Sequence, residues 1–456
     1  MLDVDVVVIG LGPGGESLAG RLADAGLDVV GVEARLVGGE CPYWACVPTK
    51  MMVRAADALA EARRVRELAG SAQVQPDWGP VAARVRQEAT DDWDDAVAVR
   101  RLEGKGARVV HGRGVVTAPG EVTVTTADGE QAFRARRAIV LNPGTEPTTP
   151  PVDGLVGTPY WTNRDAVAVR VVPESLAVLG GGPVGCEFAQ VFARFGAAVT
   201  VVEVAPRLLP GDEPEAGALL ADVFEREGIT VRADATVKRV THDGAGFGLH
   251  LDGETVSAGQ LLVAAGRRTD LAALGVGTVG IDDGGRTIEV DERMRAADGV
   301  WAIGDVTGKG AFTHTSMYQG RIAAADILGE DVEPADYRAM PRVTFTDPEV
   351  GAVGMTESTA RKAGRSVRVG VAQLPSSARG WIHKVGNDGF VKLVEDADRG
   401  VLLGATSAGP AGGEVLAALA VAVHAEVPTS QLRQMIYAYP TFHRAIEDAL
   451  TDLAGR

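Results

Sequence analysis

Residues 5–15, Asp5-Val6-Val7-Val8-Ile9-Gly10-Leu11-Gly12-Pro13-Gly14-Gly15, decide the fold. The apolar, Val-rich run 5–9 is what a strand buried on both faces of a parallel sheet requires. The glycine-rich turn feeds a helix-like stretch reaching Ala25, and a second strand, 28–32, ends at Glu33. Strand, turn, helix, strand and acid in this order make a dinucleotide-binding unit. Gly10 makes the turn, Gly12 lets the backbone approach a pyrophosphate, Gly15 lets helix pack on strand, and Glu33 accepts from a ribose hydroxyl. A glycine triplet alone would say little; its surroundings carry the reading.

The unit recurs. Strand 175–179, the turn Gly180-Gly181-Gly182-Pro183-Val184-Gly185, helix 187–195 and strand 198–202 lead to Glu203, and 23 positions separate Gly10 from Glu33 and Gly180 from Glu203 alike. Two units of matching size imply two dinucleotides. Glu203 would accept from the free 2′-hydroxyl of NAD and repel a 2′-phosphate, while Arg207 nearby keeps NADP as the lesser candidate. Cys186, inside this unit, reads as a small core residue.

Shortly after the first unit comes Gly38-Gly39-Glu40-Cys41-Pro42-Tyr43-Trp44-Ala45-Cys46-Val47-Pro48-Thr49-Lys50. Pro48 opens a run with Met51, Met52, Ala55 and Leu59 at helical spacing, which places Cys46 at a helix N-terminus, where the dipole favours a thiolate. On one continuous helix the two cysteine Cα atoms would stand about 8 to 9 Å apart, beyond the roughly 7 Å reach of a disulfide. Cys41 is therefore expected on a non-helical segment if the two bridge. A cysteine pair placed here suggests electrons moving between dinucleotides and thiols. Zinc is disfavoured, since no second Cys or His pair lies at ligand spacing nearby.

With 456 residues the chain has room for about three domains. Its net charge of -16 argues against nucleic-acid or anionic-membrane partners. No apolar run reaches a membrane span and no signal-peptide pattern opens the chain. Three cysteines do not make a secreted disulfide framework, so the expected compartment is the cytoplasm.

Residues 51–105 read as a helical insertion broken near 70–80, followed by short strands over 108–116, 121–126 and 138–141, the turn 142–145, and a Pro-rich linker over 147–159. A strand at 300–303 runs into Gly304-Asp305, an acid expected exposed at a strand's C-terminal end, where α/β sheets hold ligands. From Pro341 the pattern becomes alternating strands, then a helix over 414–425 so apolar around its circumference that burial on both sides, one by a subunit partner, is expected.

With these pieces in order, the whole chain resembles the flavoprotein disulfide reductases, the pyridine nucleotide-disulfide oxidoreductases that include dihydrolipoamide dehydrogenase, glutathione reductase and mercuric reductase. The most specific match is Gly38 to Lys50. The resemblance implies an α/β fold with two Rossmann-like, doubly wound domains and a C-terminal α+β dimerisation domain. The implied divisions are an FAD-binding domain over 1–150, an NAD(P)-binding domain over 151–270, a return to the FAD or central domain over 271–340, and a dimer-interface domain over 341–456. By resemblance, FAD would be held by Gly10, Gly12, Gly15, Glu33, Gly114, Gly144 and Asp305, and the nicotinamide nucleotide by Gly180, Gly182, Gly185, Glu203 and Gly266. Lys50 and Glu187 look like the ion pair beside the flavin. The implied activity moves a hydride from NADH through FAD to a Cys41–Cys46 disulfide, Cys46 facing the flavin and Cys41 meeting a small disulfide, thiol or thiol-reactive substrate, in a homodimer with a shared active site.

Three departures narrow the substrate. Pro42-Tyr43-Trp44-Ala45 replaces the usual small Asn- and Gly-containing spacer. Tyr439 and Arg444 stand where the family has the His and Glu of its C-terminal base, and no terminal cysteine pair follows as in mercuric reductases. If Pro440 starts a helix, His443 and Glu447 fall at i,i+4 on nearly the face of Tyr439, making His443 a candidate acid/base oriented by Glu447. Two other readings are a diaphorase-like reductase of quinones or metal ions and a non-enzymatic flavin redox sensor.

Overall fold

The structure, a computed structural model, describes residues 1–455. The chain divides into two compact units, one of residues 1–48, 84–148 and 266–336, the other of residues 49–83, 149–265 and 337–455. The segment expected as one helical insertion is thus split, with 49–83 in the second unit.

In the first unit the strand Leu2–Ile9 lies between Gly129–Leu141 and Val29–Glu33, with which it pairs in parallel. Arg108–His111 and Val300–Ala302 extend the parallel sheet on either side. A register shift between Val4 and Val6, followed by strict alternation, explains the central strand's composition: Val4, Val7 and Ile9 enter one core layer, and Val6 and Val8 the other. The helix Pro13–Asp24 covers one face through Leu18, Ala19 and Leu22. The strand 138–141 of the sequence reading is the end of a longer one, because Gly129–Phe133 first forms a hairpin with Glu121–Thr126.

In the second unit the parallel strands Thr230–Arg232, Ala198–Val202, Ser175–Leu179 and Gln260–Val263 form a sheet in that order. A separate antiparallel five-stranded sheet runs from Pro341 to Gly409. The helix Gly412–His424 packs on it through Val415, Leu416, Leu419, Ala422 and Val423. Its other face presents Ala417 and Val421 to solvent, so one side is buried and the other is apolar but uncovered.

Residues 49–68 of the helix Cys46–Leu68 are held in this unit by charge. Arg194, 3% exposed, meets Asp57 at 2.6 Å, Glu227 at 2.6 Å and Asp347 at 2.7 Å. One guanidinium cannot neutralise three acids, although Arg64 also pairs with Asp347. Asp57 yields: burial, with the charges of Asp347 and Glu349 beside it, pushes its carboxyl up to about 6 against the pull of Arg194.

Candidate active site

The two glycine turns have the same internal geometry. An added Cβ on Gly15 would stand 2.2 Å from the Gly10 carbonyl oxygen, and one on Gly185 would stand 1.9 Å from that of Gly180. Gly10 and Gly180 adopt positive φ, 94° and 119°, and a Cβ there would strike the carbonyls of Asn142 and Ala264. The middle glycines differ from these. Gly182 has open space where a Cβ would stand, and Gly12 has only the Asn142 amide at 3.4 Å. Each is the N-cap of a helix that begins with proline and lacks a side-chain cap, so the first amides are left for an anion.

Each following acid is fixed by its own turn. Glu33 accepts from the amides of Leu11 and Arg35, both at 2.8 Å, and Glu203 from those of Gly181 at 2.6 Å and Ala205 at 2.7 Å. Burial raises the pKa of Glu33 above its usual value, opposed by these amide bonds. A carboxylate oxygen keeps a second lone pair after one such bond, which suits recognition of a ribose hydroxyl. Arg207 is committed elsewhere, donating to the carbonyls of Pro210 and Asp212 at 2.9 Å.

The remaining cofactor candidates take varied positions. Asp305 is half-buried rather than exposed, because it follows a short internal strand and accepts from Thr145 Oγ1 at 2.8 Å. Arg267 donates to the same hydroxyl at 2.9 Å and pairs with Glu40 at 3.5 Å, a link that sequence spacing does not suggest. Gly144, at φ 65°, is open above its Cα, and its carbonyl accepts from Thr269. A Cβ added at Gly114 would stand 3.2–3.3 Å from Ile9 and Val32, so close packing alone accounts for its missing side chain. Gly266 adopts φ 108° and belongs to the first unit.

Cys41 lies in a helical turn, Glu40–Tyr43, and not on a non-helical segment as expected. The constraint is met differently: the chain breaks at Trp44, with φ -138° and ψ 0°, and a new helix starts at Cys46. That start precedes Pro48, which occupies the first turn, where a missing N–H costs nothing. Gly39 opens the arm at φ 69°, and a Cβ on it would meet Gly12 Cα at 2.8 Å, so the cysteine arm lies directly on the first turn. The two thiols are half-buried and hydrogen-bonded to each other, and the Cys41 thiol is pushed far up by that bond, by burial and by the charge of Cys46. Burial and the neighbouring sulfur thus both oppose ionisation of Cys41. Thr313, missed by the sequence reading, places Oγ1 3.4 Å from Cys46 Sγ.

In the second unit Lys50 and Glu187 form an ion pair at 2.5 Å. The C-terminal candidates are arranged otherwise than expected. Pro440 starts no helix; the helix is Ala445–Ala454, because Thr441 Oγ1 accepts from the Arg444 amide and caps the turn ahead of it. His443 consequently leaves the face of Tyr439, and its ring meets Tyr437 at 5.1 Å. Glu447 pairs with Arg444 at 3.0 Å, and among the described residues no hydrogen bond or ion pair joins it to His443. Tyr439 is 70% exposed, with the Arg444 guanidinium 5.6 Å from its ring centroid. Among the described residues no group of three or more His, Cys, Asp or Glu is placed to hold a metal, and no helix is long and apolar enough to cross a membrane.

Residues 4–320 match the family described as pyridine nucleotide-disulphide oxidoreductase, and residues 340–450 match the dimerisation domain of the same name. The dihydrolipoyl dehydrogenase of Zymomonas mobilis is 34% identical over 463 residues, covering 99% of this chain and 98% of the relative. The mercuric reductase of Streptomyces lividans is 32% identical, covering 97% of this chain and 94% of the relative. Among solved structures, the Cu(II) complex of RclA, an HOCl-induced flavoprotein disulfide reductase of Escherichia coli, superposes with TM-score 0.87 at 27% identity over 99% of each chain.

Proposed function

Since the chain belongs to the pyridine nucleotide-disulphide oxidoreductases, FAD-dependent NAD(P)H enzymes with a redox-active disulfide, we propose that it carries reducing equivalents from NADH to Cys41 and Cys46 and on to a small disulfide or other thiol-reactive oxidant. The observation that carries this reading is the pair itself, two half-buried sulfurs hydrogen-bonded to each other with Cys46 at a helix start.

Residues 1–150 and 271–340 are assigned to FAD, with Gly12, Glu33, Gly144 and Asp305 among its holders, and 151–270 to NADH, with Gly182 and Glu203. When bound, FAD supplies the conversion of a hydride into an electron pair for sulfur. The protein's part is to anchor the diphosphates at uncapped helix starts, to hold the riboses by carboxylates, and to keep Cys46 ionised while Cys41 stays protonated. Glu203, buried and already aimed at its turn, favours NADH over NADPH.

A substrate disulfide is then attacked by Cys41 sulfur as its proton passes to the first leaving sulfur, and Cys46 sulfur closes the protein disulfide as the second leaves. One disulfide, one thiol and one thiolate become one protein disulfide, one small thiol and one small thiolate, so no external base is consumed. This suits a site with Tyr439 in the usual His position, since a phenolic hydroxyl can donate a hydrogen bond but offers no basic nitrogen to take a proton. The dimerisation domain supports a homodimer, and we assign Tyr439 and residues 341–456 to a shared active site.

A second reading, reduction of a metal ion, is favoured by the two adjacent soft sulfurs and by the mercuric reductase and the Cu(II)-complexed reductase among the relatives. An anaerobic NADH titration followed by thiol counting separates the two. Two new thiols and a stoichiometric loss of an added small disulfide support the first reading; turnover of a metal ion with Cys41→Ser and Cys46→Ser both fully active refutes it.

A further inference from the structure

Thr313 stands 267 positions from Cys46 in the chain, yet its hydroxyl oxygen lies 3.4 Å from Cys46 Sγ and is also hydrogen-bonded to the Cys41 thiol. One hydroxyl touches both sulfurs. Its place is set by packing rather than by its own freedom. Thr313 is the first residue of the helix Thr313–Leu328, and that helix lies so close to Pro13–Asp24 that a Cβ on Gly14 would meet Ser316 Oγ at 2.1 Å. Ser316 in turn donates to Asn142 Oδ1 at 3.2 Å, and buried Gln319 accepts from the Gly304 amide at 2.7 Å. The β-branched side chain adds its own stiffness.

We propose that Thr313 is the hydrogen-bond donor that sets the thiolate character of Cys46, and through it how readily the sulfur pair takes up electrons; this rests on the pair being the redox centre. A hydroxyl bonded to an ionised acceptor is held about twice as strongly as one bonded to a neutral acceptor. The sulfur is charged in the reduced pair and neutral in the disulfide, so the donor stabilises the reduced state selectively. Cys41 is the titratable partner across the gap, His314 stacks its ring on Phe312 at 5.1 Å, and Lys50, one turn along the Cys46 helix, is paired with Glu187.

The test is the pH profile of iodoacetamide alkylation at Cys46 in the dithiothreitol-reduced holoenzyme, read by peptide mass spectrometry for wild type, Thr313→Val and Thr313→Ser. Valine keeps the shape without the donor and should raise the midpoint by about one pH unit, slowing alkylation below it about tenfold. The same variant should shift the thiol/disulfide equilibrium in a dithiothreitol buffer toward the disulfide by a similar factor. Serine should restore both. Coincident profiles for valine and wild type would overturn the proposal, as would serine behaving like valine. Whether NADH reduces the wild-type pair, measured separately, reports on the proposed function alone.

Discussion

Lys50 and Glu187 close a triangle with a backbone amide: their ion pair measures 2.5 Å, and the other Glu187 oxygen accepts from the Phe345 amide at 2.9 Å. Lys50 Nζ also stands 4.7 Å from the Phe345 ring centroid. Glu187 is buried, so Lys50→Met leaves a carboxylate without its cation. The expected cost is about 1–3 kcal/mol of stability, seen as a lower denaturant midpoint, whereas Lys50→Arg should recover at least half of it.

The two cysteines should differ in a way absorbance can read. Cys41→Ser leaves the Cys46 thiolate and should keep the long-wavelength absorption of a thiolate beside oxidised flavin; Cys46→Ser should abolish it. The assignment of Cys46 as the ionised sulfur fails if the band survives only in the Cys46 variant.

Nucleotide preference follows from Glu203. A 2′-phosphate would have to approach a buried carboxylate already bonded to two amides, so kcat/KM for NADH should exceed that for NADPH by roughly tenfold or more, about 1.4 kcal/mol. Glu203→Gln should narrow the ratio by relieving the repulsion. Equal ratios in both proteins would remove Glu203 from this role.

Asp57 should leave a signature in the acid range. Its folded carboxyl titrates at about 6 against an ordinary 3.8, so the folded state holds the proton more tightly. Stability from this group is therefore greatest at the acid end of the window and declines as pH rises from about 4 to about 6. The side chain is 37% exposed, and solvent screening limits the change to about 1 kcal/mol. Urea melts of wild type and Asp57→Asn should show the difference only as a slope across that window; parallel curves would contradict it.

At the C-terminal end, Tyr439→Phe should slow reoxidation of the thiols by substrate about tenfold while leaving NADH-driven reduction intact. His443→Ala should change neither step by more than about twofold, because its ring is turned onto Tyr437. Rapid-mixing measurements of the two half-reactions decide between them, and a large loss in the histidine variant would restore it to the chemistry.

Local pattern explains what the sequence could and could not reveal. The two turns, their acids and the Cys46 helix start are written in spacing, since each depends on residues fewer than about thirty positions apart. The C-terminal helix starts after the position Pro440 suggests because the hydroxyl of Thr441 caps the turn ahead of it. Asp305 was expected exposed because strand periodicity does not show that Thr145 lies over it. Thr313 had no local signal at all; its contact with Cys46 exists only once two distant helices start at the same place.

The close approach of Gly15 to Gly10 and of Gly185 to Gly180 bears on how this chain can change over generations. A single methyl would sit 2.2 Å or 1.9 Å from a carbonyl oxygen, so neither position has a tolerated neighbour in the genetic code, alanine included. Gly182 faces open space, and alanine there meets no steric veto from the protein itself, only from whatever binds. In a saturation library selected first for folding and then for turnover, Gly15 and Gly185 should be lost at the first sieve and Gly182 at the second, which separates the scaffold's demands from the ligand's one codon at a time.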